Sequence, residues 1–241
     1  FNVKKEDVIP MSTGVIGEQI PVEKINSGLV KLKEIIEHKN LNCFSEAIMT
    51  TDKYPKINGV KVKSGEGSYT IVGTAKGAGM ICPNMATMLA FIFTDAVISK
   101  SLLKKAFQLS VNKSLNSMTV DGDTSTNDTV IIFDNASANN AEINSEDSAE
   151  YKTFCEALTH IGILLAKDIV SDGEGATKCI EINVINAKTE ADAKKVAMAI
   201  GNSNLVKTAF FGEDANWGRI ICAAGYSGVK FNPDKITLTV G

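Results

Sequence analysis

Apolar positions recur along the chain with two periods, and these periods predict helices that alternate with strands. The helical period, with apolar side chains three or four residues apart, covers 22–38, 99–118, 148–170 and 189–201. Strand-like apolar runs cover 69–75, 88–96, 129–136, 179–187 and 235–241. This alternation predicts the α/β (or α+β) class. The most polar stretch, 136–150, predicts a surface loop.

Polar residues at the ends of these runs predict where the helices begin and end. Ser99, Ser148 and Thr189 each precede a helical run as an N-cap would. Gly173 and Gly201 follow two of the runs and predict helix ends. In the first helix one face is apolar and contains Val22, Ile25, Leu29, Leu32, Ile35 and Ile36.

Composition is that of a globular protein with a sizeable core. The 241 residues are 44% hydrophobic and 22% charged, with a net charge of −3. The lysines are dispersed among acidic residues, which argues against a nucleic-acid surface. No apolar run reaches the roughly 18 residues of a membrane span, and the opening FNVKKEDVIP has no signal-peptide core. Because the chain lacks an initiator Met and stops in a strand-like ITLTVG, we expect a fragment or a processed product.

The cysteines and histidines limit the kinds of catalytic site that the chain could form. The five cysteines are scattered and form no CxxC pair, which favours a reduced, cytoplasmic compartment. The two histidines, His38 and His160, lie in helical runs and match no ligand or triad spacing. We therefore expect no metal centre and no histidine-based triad.

Two glycine-containing stretches resemble ligand loops without matching them. GTAKGAGM (73–80) fails the phosphate-loop pattern because Lys76 precedes the last glycine and no Ser or Thr follows it. Lys76 is open to two interpretations, an anion-binding group or a solvated lysine beside a turn. VDGDTSTND (120–128) lacks the glycine and glutamate that a calcium loop needs at its sixth and twelfth positions. Its Asp, Ser and Thr side chains predict hydrogen bonds within a tight turn instead.

Two further motifs carry isolated charged residues. DGEGATK (172–178) holds Glu174 between two glycines, either as a presented carboxylate or as a solvent-facing residue after a glycine cap, and the second interpretation is favoured by spacing alone. GEDANWGRI (212–220) contains the only arginine, Arg219. Arg219 is interpreted as the partner of Glu213 or Asp214 in an internal ion pair, rather than as a clamp for a carboxylate.

A single threonine, Thr87, stands in the apolar run that follows the glycine turn. A threonine in a strand is ordinary. A chain cut before Thr87 would place the α-amine of that residue near its own hydroxyl, as a general base with a pKa of about 7.7–8.0. Ala86 is small, and the Gly77–Gly79 turn is flexible. STGVIG (12–17) offers the Thr13 hydroxyl and the Gly14 N–H as an oxyanion hole.

The motifs KGAGMICPNMATML, MTTD, STGVIG, TVDGDTSTNDTV, DGEGATK and GEDANWGRI together resemble the ornithine acetyltransferase family, bifunctional glutamate N-acetyltransferases of arginine biosynthesis. The resemblance runs from about Ser12 to Gly225. It implies autocatalytic cleavage at Ala86–Thr87 and transfer of acetyl from N-acetylornithine to glutamate through acetyl-Thr87, with ornithine and N-acetylglutamate as products. Thr13 and Gly14 match the oxyanion pair of that family. Its substrate-contacting positions match Thr50, Lys76, Thr87 and Glu174.

The resemblance also implies an architecture. The fold would be a layered sandwich of β-sheets flanked by helices, of the self-cleaving, N-terminal-nucleophile-like type. Residues 1–86 would be the end of an α chain and 87–241 the start of a β chain, interwoven in one catalytic domain, with further family segments at both ends. An α2β2 heterotetramer is implied, with no cofactor, and acetyl-CoA is left open as an acetyl donor.

Two other functions remain open at this stage. The first is a self-processing aminopeptidase or amidase on the same scaffold, in which water accepts the acyl group. The second is a non-catalytic relative that binds a metabolite. Intact mass separates the latter from the enzymes, since it would show neither cleavage nor an acetyl adduct.

Overall fold

A four-stranded sheet lies at the centre of the computed structural model, which describes residues 3–35, 40–82, 88–124 and 127–241. In order along the sheet, the strands are β1 (Lys56–Ser64), β2 (Gly67–Lys76), β3 (Leu89–Thr94) and β4 (Thr129–Asp134). β2 is antiparallel to both of its neighbours, and β3 and β4 are parallel. The strands predicted over 69–75, 88–96 and 129–136 are confirmed, as is the mixed α/β class.

A tight hairpin joins β1 to β2. Ser64 pairs with Gly67, so that only Gly65 and Glu66 form the loop. Gly65 has φ of +59°, a left-handed conformation that a two-residue hairpin loop requires and that glycine adopts without steric cost. The sequence interpretation missed β1, although its valines alternate with lysines.

The parallel pair of β3 and β4 depends on a crossover helix, α3 (Lys100–Lys113). Leu102 and Ala106 are buried on its inner face, as predicted, and Phe107 packs against the same core. Ser99 occupies the predicted N-cap position but makes no capping side-chain hydrogen bond. The predicted helix 99–118 ends earlier, at Lys113, and a short 3-10 helix follows over Leu115–Ser117.

The long helix α4 (Ala149–Ser171) packs across β1 and β2 and closes the core. Ser148 caps it as predicted, since its Oγ accepts the Tyr151 N–H at 3.1 Å. Its buried residues recur at helical spacing and include Leu158, Ile161, Leu165 and Ile169. A Cβ at Gly73 would lie 2.8 Å from Leu165 Cδ1, so that β2 approaches the helix this closely only with glycine there. No helix in the described ranges has the length and apolarity needed to cross a bilayer.

Three further helices, α5 (Glu190–Gly201), α6 (Asn204–Phe211) and α7 (Trp217–Gly225), share a second, smaller apolar cluster. The Thr189 cap and the end at Gly201 are confirmed, because Thr189 Oγ1 accepts the Asp192 N–H at 3.1 Å. The sequence interpretation missed α6 and α7.

The two helices before the sheet are α1 (Val22–Ile35) and α2 (Leu41–Ala47). α1 confirms the first predicted helix as far as the structure describes it, but none of its residues is buried. Its apolar face is 39–59% exposed at Val22, Ile25, Leu29, Leu32 and Ile35. α2 contacts the sheet through Phe44, whose ring meets that of Phe91 edge-on at 4.8 Å.

Two strand predictions, 179–187 and 235–241, are wrong. The first segment is irregular, and the second starts at the last residue of a 3-10 helix (Pro233–Lys235) and is irregular beyond it. The first still alternates, with Ile180, Ile182 and Val184 partly buried between exposed neighbours. A strand also needs a neighbour for its backbone hydrogen bonds, and none of the four described strands pairs with either segment.

Candidate functional site

The candidate site is built where β2 leaves the sheet and the backbone turns sharply. Gly77 has φ of +150° and Met80 has φ of +56°, both in the left-handed region. A Cβ on Gly77 would lie 3.0 Å from Ile81 Cδ1, a close contact that adds to the backbone strain of any other residue at this φ. The flexible turn expected from the sequence is thus a defined, tightly packed bend.

Lys76 is the last residue of β2, and its side chain is buried, with 2% of the residue exposed. Its Nζ lies 3.4 Å from Thr50 Oγ1, and it makes no ion pair with any described residue. Burial lowers the pKa of the ammonium, and Lys56 acts in the same direction, while Asp52 and Asp128 oppose both. The interpretation of Lys76 as a solvated lysine is therefore wrong, because the side chain is buried, and Thr50 is its one hydrogen-bond partner among the described residues.

Beside Lys76 lies a fully buried ionic triad of Lys56, Asp52 and Asp172. Lys56 Nζ donates to Asp52 Oδ1 at 2.6 Å and to Asp172 Oδ2 at 2.7 Å, and all three side chains are 0% exposed. Burial raises the pKa of Asp52, but hydrogen bonds from Lys56 and from two backbone N–H groups outweigh it and lower the pKa below its ordinary value. The Asp52 carboxyl is therefore ionised at neutral pH.

The triad holds the backbone that carries the predicted substrate residues. Asp52 accepts the N–H of Thr50 at 3.1 Å and that of Gly77 at 2.7 Å. Asp172 caps the end of α4 and accepts the Lys53 N–H at 3.0 Å. Thr50, the residue after Lys76, and the end of α4 are thereby tied to one buried cluster.

Glu174 follows Asp172 by two residues and faces the glycine turn. Its N–H donates to Ala78 O at 3.0 Å, and its Oε1 would lie 3.0 Å from a Cβ on Gly79. The carboxylate is exposed and lines a groove of about 610 Å³ between the end of α4 and helices α5 and α6. The two interpretations of Glu174 are compatible, since the residue is solvent-facing and also presented beside the site.

Two aspartates, Asp121 and Asp128, hydrogen-bond to the backbone on either side of residues 83–87. Asp121 accepts the N–H groups of Met80 at 2.6 Å and Ile81 at 2.9 Å. Asp128 Oδ1 accepts the Met88 N–H at 2.7 Å. The predicted hydrogen bonding within the turn is confirmed for the Asp123 N–H, which donates to Asp121 at 3.1 Å. The carboxylates of Asp121 and Asp128 also hydrogen-bond outside this turn, to residues 80–88, about 40 residues earlier in the chain.

Of the four remaining predicted residues, two are described and are not hydrogen-bonded to this site. Ala86 and Thr87 lie outside the described residues. Thr13 is half-buried and Gly14 exposed, in the segment before α1. No hydrogen bond between described residues joins them to Thr50, Lys76 or Glu174. The nucleophile and the oxyanion hole stay predictions.

The predicted ion pair of Arg219 is wrong. Arg219 Nη1 donates to Leu205 O at 3.0 Å and to Thr208 Oγ1 at 3.1 Å. Glu213 instead pairs with Lys178 at 3.0 Å. Arg219 therefore joins α7 to α6. The two acidic residues before α7 have other partners, since Glu213 pairs with Lys178 and Asp214 accepts from Asn216 Nδ2.

Sequence reasoning missed the triad altogether. Asp52 belongs to MTTD and Asp172 to DGEGATK, so both lay in motifs that had been noticed for another residue. Lys56 lies in no motif, and only the tertiary structure places it between two carboxylates.

The fold and the site define a class, a mixed α/β protein whose polar groups converge where a central strand leaves the sheet. The model of the ArgJ family matches residues 1–241, and the chain belongs to that family. It is 52% identical over 238 residues to the arginine biosynthesis bifunctional protein ArgJ of Thermotoga neapolitana, covering 99% of this chain and 59% of the relative. The protein of the same name from Listeria monocytogenes is 48% identical over 241 residues, covering 100% and 60%.

A solved structure supports the same relationship. The crystal structure of arginine biosynthesis bifunctional protein ArgJ from Bacillus halodurans is 46% identical with a TM-score of 0.57, covering 59% of this chain and 66% of that chain. The chain spans about three fifths of the length of the curated relatives it matches.

Proposed function

We propose that this chain carries the reactive part of an acetyltransferase that moves an acetyl group from N-acetylornithine to glutamate. The supporting observation is the buried Lys76 ammonium, which touches Thr50 and lies two residues before Ala78, whose carbonyl accepts the Glu174 N–H at 3.0 Å. A buried cation suits a carboxylate, and a carboxylate nearby suits an amino group. Both substrates are amino acids. The names of the relatives, which refer to arginine biosynthesis, fit this chemistry.

The proposed reaction begins with cleavage of the chain. The Thr87 hydroxyl oxygen adds to the Ala86 carbonyl carbon, the carbon–nitrogen bond breaks, and an ester forms while the nitrogen becomes the α-amine of Thr87. Water then hydrolyses the ester, leaving a carboxylate on Ala86. The two fragments, 1–86 and 87–241, stay together as α and β chains of one domain and assemble as α2β2 in the cytoplasm, on a self-cleaving-type sandwich.

Acetyl transfer then uses the same oxygen. The α-amine accepts the hydroxyl proton as the oxygen attacks the acetyl carbonyl of N-acetylornithine, and the proton passes to the departing ornithine nitrogen. The amine of glutamate attacks the acetyl ester in turn, which regenerates the hydroxyl. Thr13 and Gly14 stabilise the negative oxygen that develops in both steps. No cofactor is needed, and acetyl-CoA would enter only as another acetyl donor.

N-terminal sequencing and intact-mass measurement of the full-length protein test the proposal. We expect a fragment that begins at Thr87, and an acetyl adduct on that fragment after incubation with N-acetylornithine. Glutamate added afterwards should remove the adduct and yield N-acetylglutamate. A cut protein that takes up no acetyl group, or that passes it to water when glutamate is present, would favour the amidase alternative.

Replacing Glu174 by glutamine is expected to raise the KM for N-acetylornithine roughly 10-fold or more, the value of one charge-assisted hydrogen bond. We assign Glu174 to the side-chain amino group of ornithine, which glutamate lacks, so the KM for glutamate should change little. Steady-state kinetics with each substrate varied in turn measure both effects. The matched control is Glu146→Gln, since Glu146 is exposed, pairs with Lys105 and lies outside the groove that Glu174 lines. Equal effects of the two substitutions would remove Glu174 from the substrate site.

A further inference from the structure

We propose that Asp121 and Asp128 are positioning residues for self-cleavage, which hold the backbone on both sides of the Ala86–Thr87 bond. This inference rests on the proposed function, because it concerns the step that creates the reactive threonine. Both residues lie in the TVDGDTSTNDTV motif, but neither is among the oxyanion or substrate-contacting positions that the resemblance implies.

Asp121 holds the backbone upstream of the bond. One of its oxygens accepts the Met80 N–H at 2.6 Å, and the other accepts the Ile81 N–H at 2.9 Å. Hydrogen bonds to a carboxylate are shorter and about twice as strong as neutral ones. Thr124, in the same segment, donates its hydroxyl to Cys82 O at 3.3 Å. Three consecutive residues, 80–82, are therefore tied to the segment 121–124.

Asp128 holds the backbone downstream of the bond. Its Oδ1 accepts the Met88 N–H at 2.7 Å, and the Met88 nitrogen is bonded directly to the carbonyl carbon of Thr87 in the chain. Thr129 begins β4 and donates its N–H to Met88 O at 3.0 Å, so that Met88 is held at both of its backbone groups. The downstream anchor is thus continuous with the parallel pair of β3 and β4.

The second carboxyl oxygen of Asp128 has no structural use in the described residues. Oδ2 is buried and lacks a hydrogen-bond partner. Burial raises the pKa of Asp128 to about 6, against the opposing effects of the Met88 N–H and the Lys76 charge. An unsatisfied buried acceptor reduces the stability of the fold. Among the described residues, the contact that places Asp128 is its hydrogen bond from the Met88 N–H.

Positioning of this kind is what the cleavage step needs. The reaction joins an oxygen and a carbonyl carbon of adjacent residues, and its rate depends on holding both in an attack geometry. Anchors at Cys82 and Met88 lie on either side of five residues, 83–87, which include the Ala86–Thr87 bond. A peptide with both ends fixed has fewer conformations to search than one with a free end.

The test compares the rate of self-cleavage in full-length variants, followed by the appearance of the fragments after synthesis. We expect Asp128→Ala to slow cleavage about 10- to 100-fold, as expected when a reacting group is misplaced by about 1 Å. Asp128→Asn should restore most of the rate, because the amide oxygen can still accept the Met88 N–H. Asp121→Ala is an independent second variant and should also slow cleavage.

The matched control is Asp123→Ala, an exposed aspartate in the same segment, which should cleave at the parental rate. Thermal unfolding of the uncut proteins, read beside the rates, separates positioning from simple loss of fold. The proposal is overturned if Asp128→Ala and Asp121→Ala cleave within about 2-fold of the parent, which is too small for a misplaced peptide. It is equally overturned if Asp123→Ala slows cleavage as much as they do, or if Asp128→Asn is no faster than Asp128→Ala.

Failure of this inference differs from failure of the proposed function. A parental protein that cuts itself and carries acetyl on Thr87 upholds the proposed function, whatever the aspartate variants do. A parental protein that neither cuts nor takes up acetyl overturns both.

Discussion

Replacing Thr87 by alanine is expected to leave the Ala86–Thr87 bond intact and to abolish acetyl transfer, by roughly 10⁴-fold or more in kcat. The methyl group of alanine cannot attack a carbonyl carbon, and an uncut chain has no α-amine at position 87 to act as base. Both losses therefore have one physical origin. Intact mass reports the cleavage, and N-acetylglutamate formation reports the transfer.

Thr87→Ser is the matched control because it keeps the hydroxyl. We expect it to cut itself and to carry acetyl, at a reduced rate. An alanine variant that still splits at this bond, or that still exchanges acetyl between ornithine and glutamate at the parental rate, would contradict the proposed mechanism outright.

Replacing Lys56 by methionine is expected to cost about 3–5 kcal/mol in the free energy of unfolding. Methionine fills much of the same volume, but it leaves Asp52 and Asp172 buried side by side without a cation. That loss is a large share of the roughly 5–15 kcal/mol that stabilises a typical domain. Urea unfolding measures it, and kcat/KM measured below the transition should fall as well, because the triad holds Thr50 and Gly77.

Lys61→Met on the same strand is the matched control, since Lys61 is exposed and should change stability by no more than about 0.5 kcal/mol. Neutralising the whole triad, with Asp52→Asn and Asp172→Asn added to Lys56→Met, should recover part of the lost stability, because no uncompensated charge remains. If Lys56→Met proves no more harmful than Lys61→Met, the triad has no structural importance.

The hydrophobic pattern correctly predicted the helices and strands that are marked by capping residues, apolar periodicity or a neighbouring glycine turn. α4 has a capping serine, apolar residues on one face and a defined end, and the prediction is correct at both ends. β2 and β3 are runs of apolar residues beside a glycine turn, and both are where the pattern placed them. The pattern over 179–187 is equally strand-like, and it fails because strand formation depends on a neighbour that the pattern does not describe.

In the candidate site, too, local sequence signals identified some residues, while contacts between distant segments were not predicted. Lys76 and Glu174 drew attention as charged residues beside glycines, and they lie on the two sides of one turn. Asp128 was interpreted as part of a self-contained turn, yet its carboxylate reaches Met88, 40 residues earlier in the chain. Arg219 was paired with its sequence neighbours, whereas its contacts are on another helix.

By itself, the amino-acid sequence determined the alternation of helices and strands, the positions of several helix ends and the residue types from which an acyl-transfer site could be built. Those properties depend on local spacing, capping and chemistry, which operate within a few residues of chain. Only the tertiary structure decided that Lys76 is buried, that Lys56 bridges Asp52 and Asp172, and that Asp121 and Asp128 grip the backbone on either side of residues 83–87. Such contacts depend on which distant segments fold against each other, and on how much water is excluded between them.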